Sequence, residues 1–349
     1  MAVLFRKSFC FIGLFLFLGV AKADYQLYGQ LHLSSDAVRT GGANVFTISS
    51  NATRFGFKGS QVLGSSSLQA VWKIESEVDA TGEADRLKGR NRYLGIASGL
   101  GTIVAGYQDS PFRTLGSKVD MLPETIADFR SIMGAVRDQF DPITVDTFNL
   151  RAKRSVMYVS PRIAGLQVRW MRALRQFGHY KLDYSSLSSE AIWSYSGVYK
   201  TKFFYLGAAR ETHENILDSA VNRVAGGLTM DETEINFIYE VMESGIDTTL
   251  SRESYGVSFR RRIEDTAIVL QAFAAENDYW IKNSEGFLYA ASVQQRMSKE
   301  VELYIVAAYV DNADAASFRL GAVDHGEYYA PPAQGGNVYG VSMGVTYVF

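Results

Sequence analysis

The four histidines of the chain, His32, His179, His213 and His325, are scattered along it, and no two of them show the close ligand spacing of a metal site. The sequence contains no glycine-rich phosphate loop and no strand-turn-helix nucleophile elbow. The residue types that could do catalysis therefore form no set, and the expectation is a protein that is not an enzyme and holds no cofactor or metal. Charge, by contrast, stands in unusual places. Arg54, Lys73, Glu75, Arg169 and Glu240 each sit in the middle of a run whose alternate residues are large and apolar. The chemistry that such positions support is electrostatic, the action of fixed charge on whatever meets the polar face of the run.

Those positions have to be held by strands. Period-two alternation recurs to the C-terminus, where Tyr339, Val341, Met343, Val345, Tyr347 and Phe349 alternate with Gly340, Ser342, Gly344 and Thr346. Similar runs surround Phe55 and Phe57, Trp72 and Ile74, Val168 and Trp170, Phe237 and Tyr239, Val257 and Phe259, and Phe287 and Tyr289. Alternation sends successive side chains to opposite faces. A single strand of this kind fits a soluble sandwich or a membrane barrel equally well. About sixteen such runs can be counted, many near the ten residues that a tilted membrane-spanning strand needs.

The connectors favour the barrel. Gly99-Leu100-Gly101, Ser196-Gly197, Glu264-Asp265 and Ser298-Lys299-Glu300 read as tight turns, whereas residues 109–147, 211–221, 277–285 and 311–337 read as long polar loops. Short turns at one end and long loops at the other describe an outer-membrane barrel. Aromatic residues near strand ends, among them Tyr25, Tyr158, Trp193, Tyr195 and Tyr199, suit its interfacial girdles. A charge facing lipid at mid-membrane costs on the order of 2–4 kcal/mol, so mid-strand charges belong inside. The six prolines avoid the strand runs, as a hydrogen-bonded ladder requires.

At the N-terminus, Arg6 and Lys7 precede an apolar run from Phe9 to Val20 and then Ala21-Lys22-Ala23. That run is shorter than the roughly 20 residues of a membrane helix. The expectation is a cleaved export signal over residues 1–23 and a barrel domain over 24–349. The lone cysteine, Cys10, leaves with the signal, and so do Arg6, Lys7 and Lys22, which takes the formal net charge from −2 to −5. A mildly acidic chain argues against a nucleic-acid partner.

The chain resembles the general Gram-negative porins. Tyr25 to Gly29 (YQLYG) is similar to their opening strand, and Thr53 to Gly59 (TRFGFKG) to their second. Asn91 to Ile96, Gly99 to Gly106 and Gln108 to Phe112 resemble the approach to their third loop, and Ser155 to Pro161 the strand after it. The terminal Phe349 resembles their assembly signal. This resemblance implies an all-β, sixteen-stranded antiparallel transmembrane barrel in the outer membrane of a Gram-negative bacterium, surrounded by outer-membrane lipids. It also implies a homotrimer, recognition of Phe349 by the barrel assembly machinery, and passive diffusion of small hydrophilic solutes and ions.

By the same resemblance residues 109–147 are a constriction loop folded into the lumen, with Glu124 and Asp128 as its acids facing a basic wall. Strand parity nominates the wall. Arg54 faces inward if Phe55 and Phe57 face out; Arg90 and Arg92 share a face opposite Tyr93; Lys153, and Arg151 with it, face inward if Val156 and Tyr158 face out. Where many relatives are basic, Tyr107 stands, which implies a weaker wall. The triplet Arg260-Arg261-Arg262 reads as a solvated strand end. The rival reading is a plugged surface barrel, an adhesin or structural protein, using loop 311–337 with Tyr328, Tyr329, Pro331 and Pro332.

Overall fold

The computed structural model describes residues 24–64, 67–83, 87–137, 144–146, 148–176, 190–214, 219–243, 252–278, 281–322, 324–327 and 329–349. The expected export segment, His179 and Tyr328 lie outside them. Strands β1 (Asp24–Thr40), β2 (Ala43–Ser50), β3 (Arg54–Val62), β4 (Gln69–Glu77), β5 (Lys88–Ser98) and β6 (Gly101–Asp109) run to a long connection. It holds helix α1 (Pro111–Gly116), a 3-10 turn at Phe129–Ser131 and a small hairpin, β7 (Ala135–Arg137) with β8 (Thr144–Asp146). Then follow β9 (Arg151–Val159), β10 (Leu166–Gln176), β11 (Glu190–Lys200), β12 (Phe204–Glu214), β13 (Ser219–Met230) and β14 (Thr233–Glu243). The chain closes with β15 (Arg252–Ile263), β16 (Thr266–Ala275), β17 (Gly286–Arg296), β18 (Val301–Asn312) and β19 (Val338–Val348).

Apart from β7 and β8, and from β2 and β3, which pair with β1 rather than with each other, each strand pairs antiparallel with its neighbours in sequence, and β1 returns to β19, with Gln30 opposite Val348 and Arg39 opposite Tyr339. β2 and β3 both pair with the same edge of β1, one above the other, so they make one broken stave and the closed barrel has sixteen. Closure leaves no free edge, as a sheet in lipid requires. Phe349 seals the seam: its N–H and carbonyl exchange hydrogen bonds with Gly29 at 3.1 and 2.9 Å. Its ring lies where a Cβ on Gly29 would be, so any side chain at this position would have to displace the ring.

The alternation holds where the ladder is regular. In β14, Phe237 and Tyr239 are exposed outside while Asn236, Ile238, Glu240 and Met242 are buried inside. Exposed Leu206, Val224, Val257, Leu270, Tyr289, Ile305 and Val341 continue the outer apolar surface around the barrel. Such a surface has lipid as its natural medium.

The expected tight turns are present except one. Ser196 and Gly197 lie inside β11, paired with Ala209 and Ala208, and the chain reverses instead at residues 201–203. A strand interior tolerates one lipid-facing glycine, so the dipeptide by itself does not mark a turn. The loop expected at 211–221 is likewise shorter, because β12 and β13 extend into it. At the long-loop end, Gly41 and Gly42 make a two-residue hairpin with φ of 55° and 82°, values that side chains resist.

The buried core lies within the lumen. The loop from Ser110 to Leu150 places Phe112, Leu115, Val119, Leu122, Ile126, Phe129, Ile132, Met133 and Phe148 against inward residues of β12 to β18, including Val221, Val269, Phe273, Leu288 and Val306. Ser110 starts this loop by accepting the Arg113 N–H at 3.1 Å, with Pro111 in the first helical turn. The strands opposite the loop are largely apolar on both faces, as in Val306–Val310 and, apart from Gln271, in Ala267–Ala275, because their inner face is a packing surface rather than a water-lined one.

Candidate functional site

The infolded loop meets the wall at Glu124. Its carboxylate accepts from Arg54 Nη1 at 2.8 Å and from Gln30 Nε2 at 3.0 Å, with Arg90 Nη2 at 3.6 Å and His32 Nδ1 at 3.7 Å. Burial alone would raise the carboxyl pKa; the nearby His32 ring and the charges of Arg54 and Arg90 outweigh it and lower the value. Glu124 adopts φ of 64°, in the left-handed region that non-glycine residues resist. The Asp128 side chain accepts its N–H at 3.0 Å and holds that backbone in place.

Asp128 does not face the bore, contrary to what the resemblance implies. It is fully buried and forms an ion pair with Arg130, while also accepting the Arg130 N–H at 3.0 Å. Its role is internal to the loop. Neighbouring Asp120 is buried too, and burial together with the Asp128 charge raises its carboxyl pKa well above the usual carboxylate range.

Arg54 projects inward as parity predicts, and Arg90 also projects inward, although it does not share a face with Arg92 as expected. Arg90 donates to Glu77 at 2.7 Å and Glu75 at 3.2 Å. Arg92 is a correction. Between the pairs Ile74–Arg92 and Ser76–Gly89 the register slips, so that Arg90 and Asn91 together face Glu75. This β-bulge changes the parity. Arg92 lies on the outer face with Ile74, Leu94 and Ile96, its guanidinium laid over Ser76 Oγ at 2.9 Å. Lys153 is a second correction with the same cause. Ala152 and Ser155 are both buried inward, and the register slips between Gln108–Ala152 and Gly106–Ser155. Arg154 takes φ of 50° there, and Lys153 and Arg154 are both exposed on the other face.

Tyr107 shares the outer parity of Ile103 and Ala105, so its type does not bear on the inner wall. Arg151 does reach the inner cluster, pairing with Asp109 at 2.9 Å. Arg260, expected as a solvated strand end, instead holds the loop by donating to Met121 O at 3.2 Å. A direct comparison checks the bulge: Arg90→Ala is expected to change single-channel conductance, and Arg92→Ala to leave it at the wild-type value.

Two features escape a reading of the sequence. Arg223 is fully buried and donates to Glu240 at 2.6 and 3.0 Å, to Asn149 Oδ1 at 2.7 Å and to Phe112 O at 3.2 Å. A signal for it exists. The two-residue turn Asp231–Glu232 fixes the hairpin register, and that register sets Arg223 opposite Glu240. The other is Asp324, far along the chain, which no local spacing connects to the loop.

Taken together, Arg54, Lys73, Arg90, Arg113, Arg130 and Arg151 interlock with Glu75, Glu77, Asp109, Glu124, Asp128 and Asp324, with Lys88 at the rim. Opposite charges here touch rather than face one another across open water. Elsewhere in the lumen the balance fails. Alternation with exposed Val168, Trp170 and Tyr199 turns Arg169 and Lys200 inward, and Lys118 of the loop sits 5.8 Å from the ring of inward Tyr205. Arg162 stands at the turn below, bonded to Gly165 O and Gln167. Among the described residues none of these four cations has an acidic partner. Burial, then repulsion from Arg169, Lys200 and Arg162, lowers the pKa of Lys118.

A closed barrel of sixteen antiparallel staves, apolar outside and charged within, with an infolded loop narrowing its bore, is the architecture of a porin. The chain matches the family model described as Gram-negative porin over residues 14–315 and belongs to the Gram-negative porin family. A major outer membrane protein P.IB of Neisseria gonorrhoeae is 31% identical over 105 residues; the match covers 29% of this chain and 29% of that protein's length. An anion-selective porin from Comamonas acidovorans superposes with a TM-score of 0.79 at 16% identity, covering 94% of this chain and 100% of the other. OmpT of Vibrio cholerae, described in a trimer form, superposes at 0.66 with 13% identity over 94% and 99% of the two chains. At these identities the two structures speak to the fold alone.

Proposed function

We propose that this porin is a passive diffusion channel for small hydrophilic solutes and ions, exported by its N-terminal segment and working as an outer-membrane homotrimer. In this reading the constriction consists of the loop 110–150 against the wall of Arg54 and Arg90, latched by Glu124. The latch is self-neutralising, so ion preference falls to the charge left over. The observation that carries this reading is the group Lys118, Arg169 and Lys200 in the lumen with Arg162 at the turn below, four cations without an acidic partner among the described residues. Facing patches of one sign raise the local concentration of the opposite ion. The channel therefore favours anions. The selectivity named for the Comamonas acidovorans porin and the trimer named for OmpT support this reading.

Planar bilayers test it. The folded protein is expected to give discrete conductance steps in groups of three, and a reversal potential across a KCl gradient that reports chloride over potassium. The triple variant Lys118→Gln, Arg169→Gln, Lys200→Gln is expected to lose most of that preference. Folded protein that conducts nothing would remove the channel reading. A preference for potassium, or a triple variant indistinguishable from wild type, would remove the assignment of selectivity to these cations.

A further inference from the structure

The segment between β18 and β19, residues 313–337, reads from sequence as an outer surface loop. It turns into the barrel instead. Gly321 N donates to Ile126 O of the constriction loop at 3.0 Å, and Gly326 N donates to Asn51 Oδ1 at 3.0 Å. Tyr329 donates its hydroxyl to Asp36 at 3.0 Å, His325 Nε2 lies 3.3 Å from the same carboxylate, and Thr40 donates to Ala330 O at 2.7 Å. Phe318, Leu320 and Tyr329 are buried. The segment is thus fastened to the wall at β1 and its neighbour on one side and to the constriction loop on the other.

Its one carboxylate facing the constriction loop is Asp324. Arg113 Nη2 and Arg130 Nη1 each donate to Oδ2 at 2.7 Å, Arg90 Nη1 lies 3.6 Å from Oδ1, and Arg151 Nη2 lies 3.9 Å from Oδ2. The four guanidiniums come from the wall strands β5 and β9 and from both halves of the constriction loop's helical part. Burial would raise the Asp324 pKa; Arg130, Arg113, Arg90 and Arg151 outweigh it and hold the carboxyl well below the ordinary range. It is therefore a fixed negative charge. Without it the inner cations of the interlocked network, leaving aside Lys88 at the rim, would outnumber their acids. A surplus charge in a narrow, low-dielectric bore acts on every ion that passes.

We propose that residues 313–337 are a second constriction element, and that Asp324 is a specificity-determining residue whose carboxylate balances the arginines at the narrow point. This rests on the channel reading above. Removing the carboxylate leaves positive charge uncovered, and removing one of its arginines does the reverse. In bilayers under a KCl gradient, Asp324→Asn is expected to raise the chloride-to-potassium permeability ratio about twofold or more over wild type. Arg151→Gln, which keeps the carboxylate, is expected to lower that ratio, and the double variant to return toward wild type.

The pattern of signs separates charge from shape, since a loop that had merely come loose would not be restored by the second substitution. It also copes with a variant that does not assemble, because Arg151→Gln tests the same balance alone. If either folded single variant leaves the ratio at the wild-type value, or if the double variant stays shifted, the assignment to Asp324 falls. A wild-type protein that forms no conductance steps would instead overturn the channel reading itself.

Discussion

Replacing Arg223 with alanine is expected to release the constriction loop from the barrel wall and to cost on the order of 3–5 kcal/mol. The side chain is fully buried and binds Glu240 with two nitrogens, Asn149 and Phe112 O with a third, and lies 3.7 Å over the Phe112 ring. Glu240 in turn accepts the Gly134 N–H. One ion pair on β13 and β14 therefore pins the loop at its start, its middle and its end. The cost arises less from the missing hydrogen bonds than from the Glu240 charge left buried without a partner. The double variant Arg223→Met, Glu240→Gln removes both charges and is expected to recover much of the loss. The temperature at which the folded form converts to the unfolded form on a gel measures this. An unchanged transition for Arg223→Ala would show that the pair does not hold the loop.

The second large effect is expected from Phe129→Ala. Its ring packs 5.7 Å from that of Phe273 on β16 at an interplanar angle of 53°, and it is almost wholly buried among the apolar residues joining loop to wall. Truncating a buried phenylalanine costs about 3–5 kcal/mol in a well-packed core. Here the cost falls on loop docking rather than on the barrel. The strand ladder closes through its own hydrogen bonds and its outer face is covered by lipid, neither of which involves Phe129. The variant should keep the circular dichroism of a β-sheet, while its conductance becomes larger and noisier and its loop is cut faster by protease. A conductance and cleavage rate equal to wild type would contradict a loop held by apolar packing.

Both effects follow from a division of labour between the faces of the strands. The outer face of the barrel is uniform, so any apolar residue of the right size serves. The inner face has two regimes. Along β12 to β18 much of it is a solid core against the loop, built by the same rules as a soluble protein interior. Toward β10 to β12 at the turn end it is lined by exposed cations. The interlocked acids and bases on β3 to β9 and the loops belong to the first regime in their energetics, since each charge is buried or half-buried and paired. The surplus cations belong to the second.

The sequence by itself determined the barrel. Alternation from Tyr339 to Phe349, mid-strand charges such as Arg54 and Glu240, and the contrast of tight turns with long loops follow from a period-two backbone between lipid and water. That requirement acts residue by residue and is visible without tertiary knowledge. Arg54 was legible for this reason, whereas Glu124, on the loop, was nominated by the resemblance to porins, and Arg90 owes its inward place to the bulge beside it. Tertiary structure alone decided which neighbours join them. The slips that turn Arg92 and Lys153 outward depend on where two strands lose register, and one inserted residue reverses every side chain beyond it. Asp128 meets Arg130 inside the loop because the local turn places them together, which composition could not distinguish from two residues facing water. Asp324 lies 194 residues from Arg130 in the chain, and only closure of the barrel brings them within 2.7 Å. Ion pairs across a lumen are set by the three-dimensional path of the loops, and no spacing along the chain encodes them.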